Sequence, residues 1–541
     1  MESLFLVINL LGGLGVFLFG MKIMGDGLEN LAGEKLKGIF DKITSNPIKG
    51  VATGAIVTAI IQSSSAVTVM IVGFVNAGIM NLSQAASVIM GANIGTTITA
   101  QLITFKFDAI VPVFIAIGAA LVLFTRKKNF RESGNIILGF GILFLGLTLM
   151  SDAMSPLRDS QVFTNLILSL KGHTLLGLFL GIAMTAIIQS SSAVTGILVA
   201  LASVGSIPID IAIPILYGTN IGTCVTALIS CLGTTKTAKK AALIHLSFNV
   251  IGSIIFLIPP ISNLLLTAVT TITPGVAGEV VAKQIANAHT IFNVVNTILL
   301  LPFIKYLVAL VNFILPGEDE KEVAEVKYID DRLLETPTIA FGQATNEIIR
   351  MGTIAKENLE AALEGFTKNN LDSIDKVYKN ENLINMLETD ITKYLVKLSN
   401  SDIGDDQRTA IAAYFHAVND IERIGDHAEN IADLAKDKIS KNIKFSKDAV
   451  EELSLMVNTC IEALEHSIEC FSDYSYEKAL DVRILEEKID SMEKELKVSH
   501  IKRLNNGTCD AVVGTLFLDL ISNLERVGDH SVNIAEILSQ A

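Results

Sequence analysis

One stretch of this chain is written twice, and it constrains the fold more than any other feature. Thr58-Ala-Ile-Ile-Gln62-Ser63-Ser64-Ser65-Ala66-Val67-Thr68 recurs as Thr185-Ala-Ile-Ile-Gln189-Ser190-Ser191-Ser192-Ala193-Val194-Thr195. The match runs ungapped from Gly54–Ala100 to Gly181–Ala227, at an offset of 127, with 22 identities in 47 positions. It closes on a second shared motif, Gly91-Ala-Asn93-Ile-Gly95-Thr96-Thr97 against Gly218-Thr-Asn220-Ile-Gly222-Thr223-Cys224. Duplication inside an apolar chain is a mark of secondary transporters. The polar cluster is the physical oddity. At 3.6 residues per turn, Gln-Ser-Ser-Ser sweeps most of the way round a helix, so an unbroken membrane helix would turn some of it to lipid. Serines bonding back to their own carbonyls account for one or two such residues. A doubled cluster points instead to helical hairpins that break there and face a polar cavity.

Mean hydropathy is +0.51, an average over two unlike parts. Residues 1–315 carry 17 Lys and Arg against 11 Asp and Glu, whereas residues 316–541 carry 25 against 45. The first part reads as a membrane domain and the second as a soluble acidic domain, whose charge excludes nucleic acid as the natural partner. Cys224, Cys231, Cys460, Cys470 and Cys509 are odd in number and form no close CxxC pair. No disulfide framework or zinc site is legible in them, and the soluble part is expected in a reducing cytoplasm. Met1-Glu2-Ser3 lacks a basic flank and a cleavage site, so the apolar residues that follow read as a first membrane helix.

Apolar spans are expected at Leu4–Met24, 83–104, 109–125, 134–154, 208–232, 241–258 and 285–315, near the roughly 20 residues a crossing needs. The hairpins occupy 50–78 and 176–205, and the short Thr- and Pro-containing stretch 260–278 reads as an external loop or a partial helix. Three crossings separate the hairpins, and an odd number inverts the second copy relative to the first. The basic clusters agree. Placing Arg126-Lys127-Lys128-Asn129-Phe130-Arg131 inside puts the basic stretch 26–49 and Lys236, Lys239 and Lys240 inside as well. It puts 155–173 outside and delivers residue 316 to the cytoplasm. The lipid bilayer is thus a partner, the location a multi-pass one in the cytoplasmic membrane.

Beyond a charged linker, six amphipathic helices are expected at 338–367, 370–400, 405–440, 445–472, 476–504 and 508–540. A second repeat lies here at offset 103: Glu422-Arg-Ile-Gly-Asp426-His427-Ala-Glu-Asn430-Ile-Ala432 matches Glu525-Arg-Val-Gly-Asp529-His530-Ser-Val-Asn533-Ile-Ala535 at 8 of 11 positions. Two three-helix bundles follow from it. The fold class is therefore all-α: a polytopic membrane domain of two inverted repeats with re-entrant QSSS hairpins, plus a cytoplasmic domain of two bundles. The boundaries expected are 1–130 and 131–315 for the repeats, 316–337 for the linker and 338–541 for the bundles.

No Lys, Arg, Asp or Glu lies in or beside the hairpin tips, which argues against a proton relay. Broken helices offer N–H groups and positive dipole ends to an anion, and their carbonyls and hydroxyls suit a hard cation such as sodium. Cation-coupled anion uptake follows, with the anion unnamed. No nucleophile–base pair or phosphate loop is visible, so an enzyme is not expected. The His245/Asn249 and His289/Asn293 pairs, each at i, i+4, read as interhelical packing with satisfied hydrogen bonds. Asp108, Asp152 and Asp210 read as solvated caps.

Paired QSSS clusters, each followed by Asn-Ile-Gly-Thr, resemble the type II sodium/phosphate cotransporter family over nearly all of residues 1–315. Residues 338–541 resemble PhoU, the phosphate-signalling domain fused to bacterial members. The resemblance implies inorganic phosphate as cargo and sodium as the co-transported ion. It implies phosphate contacts from Gln62, Ser63, Ser64, Ser65, Gln189, Ser190, Ser191, Ser192, Asn93 and Asn220. Sodium contacts are implied from Gln62, Ser65, Thr96, Thr97, Gln189, Ser192 and Thr223. Cys224 stands where the first copy has Thr97, and a thiol is a poor ligand for a hard cation.

In the bundles, Glu422/Asp426 and Glu525/Asp529 put carboxylates at i, i+4 on one face, where like charges oppose each other. Neutralisation by Arg423 and Arg526 is one solution. The other is a transition metal, which the PhoU resemblance implies through ExxxD ligands. Glu486 and Asp490 complete such a set in the second bundle, whereas Glu381 and Asn385 leave the first one carboxylate short. The reading is a sodium-coupled importer of phosphate with a regulatory PhoU-like domain. It admits a homodimer and a cytoplasmic signalling partner. Its rivals are a symporter of another oxyanion and a membrane-tethered phosphate sensor. Intact duplication of both hairpins favours transport, since a sensor needs no second half-site.

Overall fold

The computed structural model describes residues 2–32, 46–105, 107, 109–276, 278–317, 326–401, 403, 405–473, 476–507 and 509–540. Lys35, Lys37 and Lys42 of the basic stretch, Asp108 and residues 318–325 of the linker lie outside them. The chain divides into two units, Met1–Glu322 and Val323–Ala541. All regular structure among the described residues is helical.

The first unit runs through α1 (Glu2–Ala32), α2 (Pro47–Ile61), α3 (Ser64–Asn76), α4 (Leu82–Leu102), α5 (Val111–Phe124), α6 (Lys128–Met154) and α7 (Gln161–Leu170). It continues through α8 (Thr174–Ile188), α9 (Ser191–Ser203), α10 (Ile209–Ser230), α11 (Lys236–Leu257), α12 (Pro259–Ile272), α13 (Gly278–Leu300) and α14 (Ile304–Ile314). Among the described residues, five stretches are long and apolar enough to cross a membrane: Phe5–Ala32, Lys128–Asp159, Ile209–Ser230, Lys236–Leu257 and Gly278–Ile314. Two expectations change in detail. Residues 259–272 are a full helix, because Pro259 and Pro260 occupy its first turn, where a missing N–H costs nothing. The single span expected over 285–315 bends through a 3-10 turn at Leu301–Phe303, where Pro302 cannot continue the ladder.

Each repeat is held together by helices that meet backbone to backbone. A Cβ on Gly91 of α4 would stand 2.0 Å from the Val51 carbonyl oxygen of α2, and its copy Gly218 of α10 stands 2.1 Å from that of Leu178 on α8. The facing glycines repeat the relation: Gly54 against the Val88 carbonyl at 2.0 Å and Gly181 against that of Ile215 at 2.1 Å. In hydrocarbon, helix association draws on such close packing, because burial from lipid gains little. The α1–α6 pair has the same construction, with Gly20 against Leu143 and Gly146 against Phe17. The repeats also interleave: α3 packs on α10 and α11, while α9 packs on α4 and α13.

The described residues of the second unit form six α-helices after a short 3-10 helix at Asp331–Glu335: α15 (Pro337–Lys368), α16 (Leu371–Ser399), α17 (Asp405–Ser440), α18 (Lys447–Asp473), α19 (Tyr476–Asn505) and α20 (Ala511–Gln540). α15, α16 and α17 form one three-helix bundle and α18, α19 and α20 another, joined mainly through α17 on α20. The fully buried Glu347 anchors the chain leading into the first bundle. Its carboxylate accepts the N–H groups of Lys327, Tyr328 and Ile329 and pairs with Arg350 at 2.6 Å.

Overpacking a tight contact costs typically 1–3 kcal/mol, and here the obstacle is backbone that no rotamer change can move aside. Gly91→Ala and Gly218→Ala are each expected to lower the melting temperature of the detergent-purified protein by several degrees. Gly12→Ala and Gly15→Ala, with nothing within 4 Å of the new carbon, should leave it unchanged or slightly raised. Equal melting curves for all four variants would refute the crossing argument.

Candidate functional site

Both hairpins break at the Gln-Ser step. Asn46 caps the start of α2 through the Ile48 N–H at 2.9 Å, with Pro47 in the first turn. The helix then ends on Gln62, whose φ of 60° is left-handed and whose N–H donates to the Thr58 carbonyl. Ser63 restarts the chain as N-cap of α3, its hydroxyl accepting from the Ala66 N–H at 3.2 Å. The second copy repeats each step: Gln189 at φ 57°, its N–H on the Thr185 carbonyl, and Ser190 accepting from the Ala193 N–H at 3.2 Å. A left-handed residue other than glycine costs on the order of 1–3 kcal/mol and clusters at functional sites. Among the described residues of the first unit, only the two tip glutamines adopt it.

The break leaves the N–H groups of Ser64, Ser65, Ser191 and Ser192 in first helical turns, where no intrahelical acceptor exists. The hydroxyls of these four serines make no hydrogen bond among the described residues. The positive ends of α3 and α9 therefore present donors that suit an oxyanion. Beside each break, the Thr58 and Thr185 hydroxyls are fully buried without a partner.

The copies part company in their side-chain contacts. Gln62 is latched, with Oε1 accepting from the Thr99 hydroxyl at 2.7 Å and Nε2 donating to the Ala59 carbonyl. Gln189 is exposed, and the Thr226 hydroxyl at the position equivalent to Thr99 is buried without a partner. Thr99 and Thr226 were not among the expected site residues, although both are identities of the duplication. Asn93 donates to its own helix at Ile89, whereas Asn220 reaches α13, donating to Asn293 Oδ1 at 2.7 Å with His289 Nε2 at 3.1 Å. The Thr96, Thr97 and Thr223 hydroxyls bond to the Ala92, Ile94 and Thr219 carbonyls of their own helices. Cys224 receives the Asn249 amide at 3.3 Å.

His289 and Asn293 are thus satisfied partly by Asn220, as packing requires. His245 is not: both ring nitrogens are buried without partners, as are Asn249 Oδ1, Ser253 Oγ and Asn296 Oδ1. This polar seam between α11 and α13 has no counterpart in the expected site. Its i, i+4, i+8 spacing along α11 was the available signal. Asp210 lies exposed in the first turn of α10, and Asp152 lies exposed near the end of α6, so both are solvated as expected.

In the second unit, carboxylate oxygens of Glu486, Asp490 and Asp529 lie within 4.8 Å of one another. Burial raises the Glu486 pKa first, with Asp490 and Asp529 adding to it. Burial and then Asp529 raise that of Glu525. Arg526 lies 3.7 Å from Glu525 and 3.8 Å from Asp529, and Lys494 lies 3.2 Å from Asp490. The first bundle differs. Arg423 approaches Asp426 at 3.1 Å and Glu422 at 3.7 Å. Glu381 sits behind them, 3% exposed, in a notch that a Cβ on Gly425 would fill to within 2.5 Å. Burial, then Asp426, Glu429 and Glu422, push its pKa up to about 8. The all-oxygen donor set of the second bundle fits a hard divalent cation; the first bundle offers Glu381, whose raised pKa favours the protonated form, and Asn385 in its place.

Comparison with known proteins follows these two units. A family model described as Na+/Pi-cotransporter matches residues 16–152 and 154–274, and the PhoU domain model matches 348–435 and 453–538. The chain is 25% identical to the putative inorganic phosphate export protein YjbB of Escherichia coli K12, over 98% of this chain and 96% of that one. It is 32% identical to the uncharacterized protein YqeW of Bacillus subtilis, over 56% of this chain and 96% of that one. A PhoU homolog of the phosphate-specific transport system from Xylella fastidiosa is 30% identical over 39% of this chain and 83% of its own.

A carboxyl whose pKa is raised on folding stabilises the fold while protonated, and that stability is lost as pH rises from about 4.5 through about 8. With a chelator present, Glu381→Gln should match wild type in thermal unfolding near pH 5 and exceed it at about pH 8.5. Parallel curves across the range would refute the raised pKa.

Proposed function

This chain belongs to the Na+/Pi-cotransporter family and carries a PhoU domain, and from that premise we propose that it is a sodium-coupled symporter of inorganic phosphate in the cytoplasmic membrane. Residues 1–130 and 131–315 act as inverted repeats, with the soluble half in the cytoplasm as a regulatory domain. The observation that carries the reading is the pair of helix breaks at Gln62 and Gln189, each opening a serine-lined N-terminus with no ionisable side chain at its tip. First-turn N–H groups and hydroxyls at 63–65 and 190–192 hold the phosphate. Sodium takes oxygens from the same tips and from Thr96, Thr97 and Thr223, and its charge offsets that of the anion. In the soluble half, Glu486, Asp490 and Asp529 would hold a divalent metal, which would relieve their mutual repulsion. Glu525, Glu422 and Asp426 are the remaining ExxxD carboxylates.

An inward sodium gradient makes such a protein an importer. The name of the Escherichia coli relative favours export. A symporter is reversible, so the sum of the sodium and phosphate gradients sets the direction. Radiolabelled phosphate flux in proteoliposomes separates the possibilities. Sodium imposed outside should drive accumulation, sodium imposed inside should drive efflux, and a proton gradient alone should do neither. Accumulation in sodium-free, proton-driven vesicles would overturn sodium coupling.

The same assay tests the site. Losing a hydrogen bond to a charged group costs roughly 1.5–3 kcal/mol, or about 10- to 150-fold in binding. Gln62→Ala and Gln189→Ala should each nearly abolish flux at normal yield, and the double variant should be little worse than the worse single one. Thr99→Val should impair flux more than Thr226→Val, because only Thr99 holds its glutamine. Near-normal flux per folded molecule in both glutamine variants would remove the tips from the mechanism.

A further inference from the structure

The second bundle contains a cavity that neither transport nor the carboxylate cluster uses. It has a volume of about 170 Å3 and lies where α18 begins, α19 ends and α20 begins. A water molecule's share of liquid volume is about 30 Å3, so the space holds several waters or one tetrahedral oxyanion with room to spare.

His500 identifies it as more than a packing fault. The residue is 1% exposed and lines the cavity, and its Nε2 has no hydrogen-bond partner. A buried nitrogen left unsatisfied costs about 1–3 kcal/mol. The ring is fixed in place, stacked on Phe517 with centroids 5.3 Å apart, and Gly514 makes room for it, since a Cβ there would stand 2.5 Å from Nε2. Arg503 lines the same wall, its guanidinium 5.0 Å from the Phe517 ring centroid and 2.7 Å from Glu452. Lys444 at the rim is exposed and has no acidic partner among the described residues. Ser446 caps α18, its hydroxyl taking the Ala449 N–H at 3.3 Å, so that helix directs its positive end at the space.

Three acids stand nearby. Glu452 is paired with Arg503, and the Asp510 carboxylate caps α20 by accepting the Val513 N–H at 2.9 Å. Asp448 lies exposed in the first turn of α18, and the cavity wall itself sets the cations Lys444 and Arg503 against the single lining carboxylate of Asp510.

We propose that this cavity binds a small tetrahedral oxyanion, of the phosphate or sulfate class, held by Lys444, Arg503 and His500 Nε2 at the start of α18. Such a site gives the soluble half its own ligand. Binding there does not depend on the transport reading; only its meaning as a sensor of cargo rests on it.

Cys509 reports occupancy directly. It lines the cavity and is half-exposed, whereas Cys224, Cys231, Cys460 and Cys470 are buried. Maleimide labelling of the full-length protein in detergent, at constant ionic strength and read by intact mass, should show one fast site. At free inorganic phosphate about four times its Kd, labelling should slow about five-fold, because only unoccupied protein reacts. Sulfate distinguishes a general oxyanion site, which it also protects, from a phosphate-specific one, which it does not. Lys444→Glu should abolish the protection, while Gln62→Ala and Gln189→Ala should retain it even if they stop transport. No slowing at any phosphate concentration, equal slowing by chloride, or full protection in Lys444→Glu would overturn the site.

Discussion

Backbone polar groups cannot be left unpaired in hydrocarbon, and the membrane unit is organised around the two places where the chain nevertheless breaks a helix. The break is tolerable because each side is finished locally: the glutamine N–H returns to a threonine carbonyl, and the first serine caps the next helix. The left-handed glutamines cost energy that packing must offset. Glycine crossings supply that packing about two and three turns away, bringing α2 onto α4 and α8 onto α10 until backbone meets backbone. Strain at the tips and close packing behind them are two parts of one design, which explains why the duplication preserves both.

Identical motifs do not hold identical contacts. Gln62 is latched by Thr99 while Gln189 is not, and Asn220 reaches His289 and Asn293 while Asn93 bonds within its own helix. The duplicated motifs therefore sit in unlike surroundings within this one structure, whatever symmetry the sequence gives them. Cys224 adds a fixed difference. Its sulfur takes the Asn249 amide, so this position serves helix packing where Thr97 keeps a hydroxyl.

The second unit shows the same divergence of copies. Its second bundle gathers three carboxylates within ligand distance of one another, and its first replaces one with Asn385 and buries Glu381 with a pKa near 8. Like charges kept close in low dielectric are relieved by a cation or a proton: Lys494 and Arg526 approach the carboxylates of the second bundle, and the raised pKa of Glu381 favours a proton in the first. At the junction of α17 and α20, His530 meets Asp420 at 2.8 Å and His427 meets Asn523 at 2.9 Å. Equivalent positions thus carry a charged partner on one side and a neutral amide on the other.

Much of this was readable from residue order. Six bundle helices fall within three residues of their expected ends, because amphipathic periodicity and polar caps are local signals. The hairpin breaks were legible because four polar residues in a row cannot share one helix face. The stretch 260–278 leaves a loop and a partial helix both open, and the helix over Pro259–Ile272 decides between them, since proline ends a helix from inside but begins one from its first turn. What residue order could not supply was pairing across space. Thr99 on Gln62, the unsatisfied seam around His245, and His500 facing a cavity between three helix ends all join residues distant in sequence or leave a group without a neighbour. Periodicity states which face of a helix is buried; only the assembled structure decides what that face meets, because a hydrogen bond depends on ångströms that no spacing rule encodes.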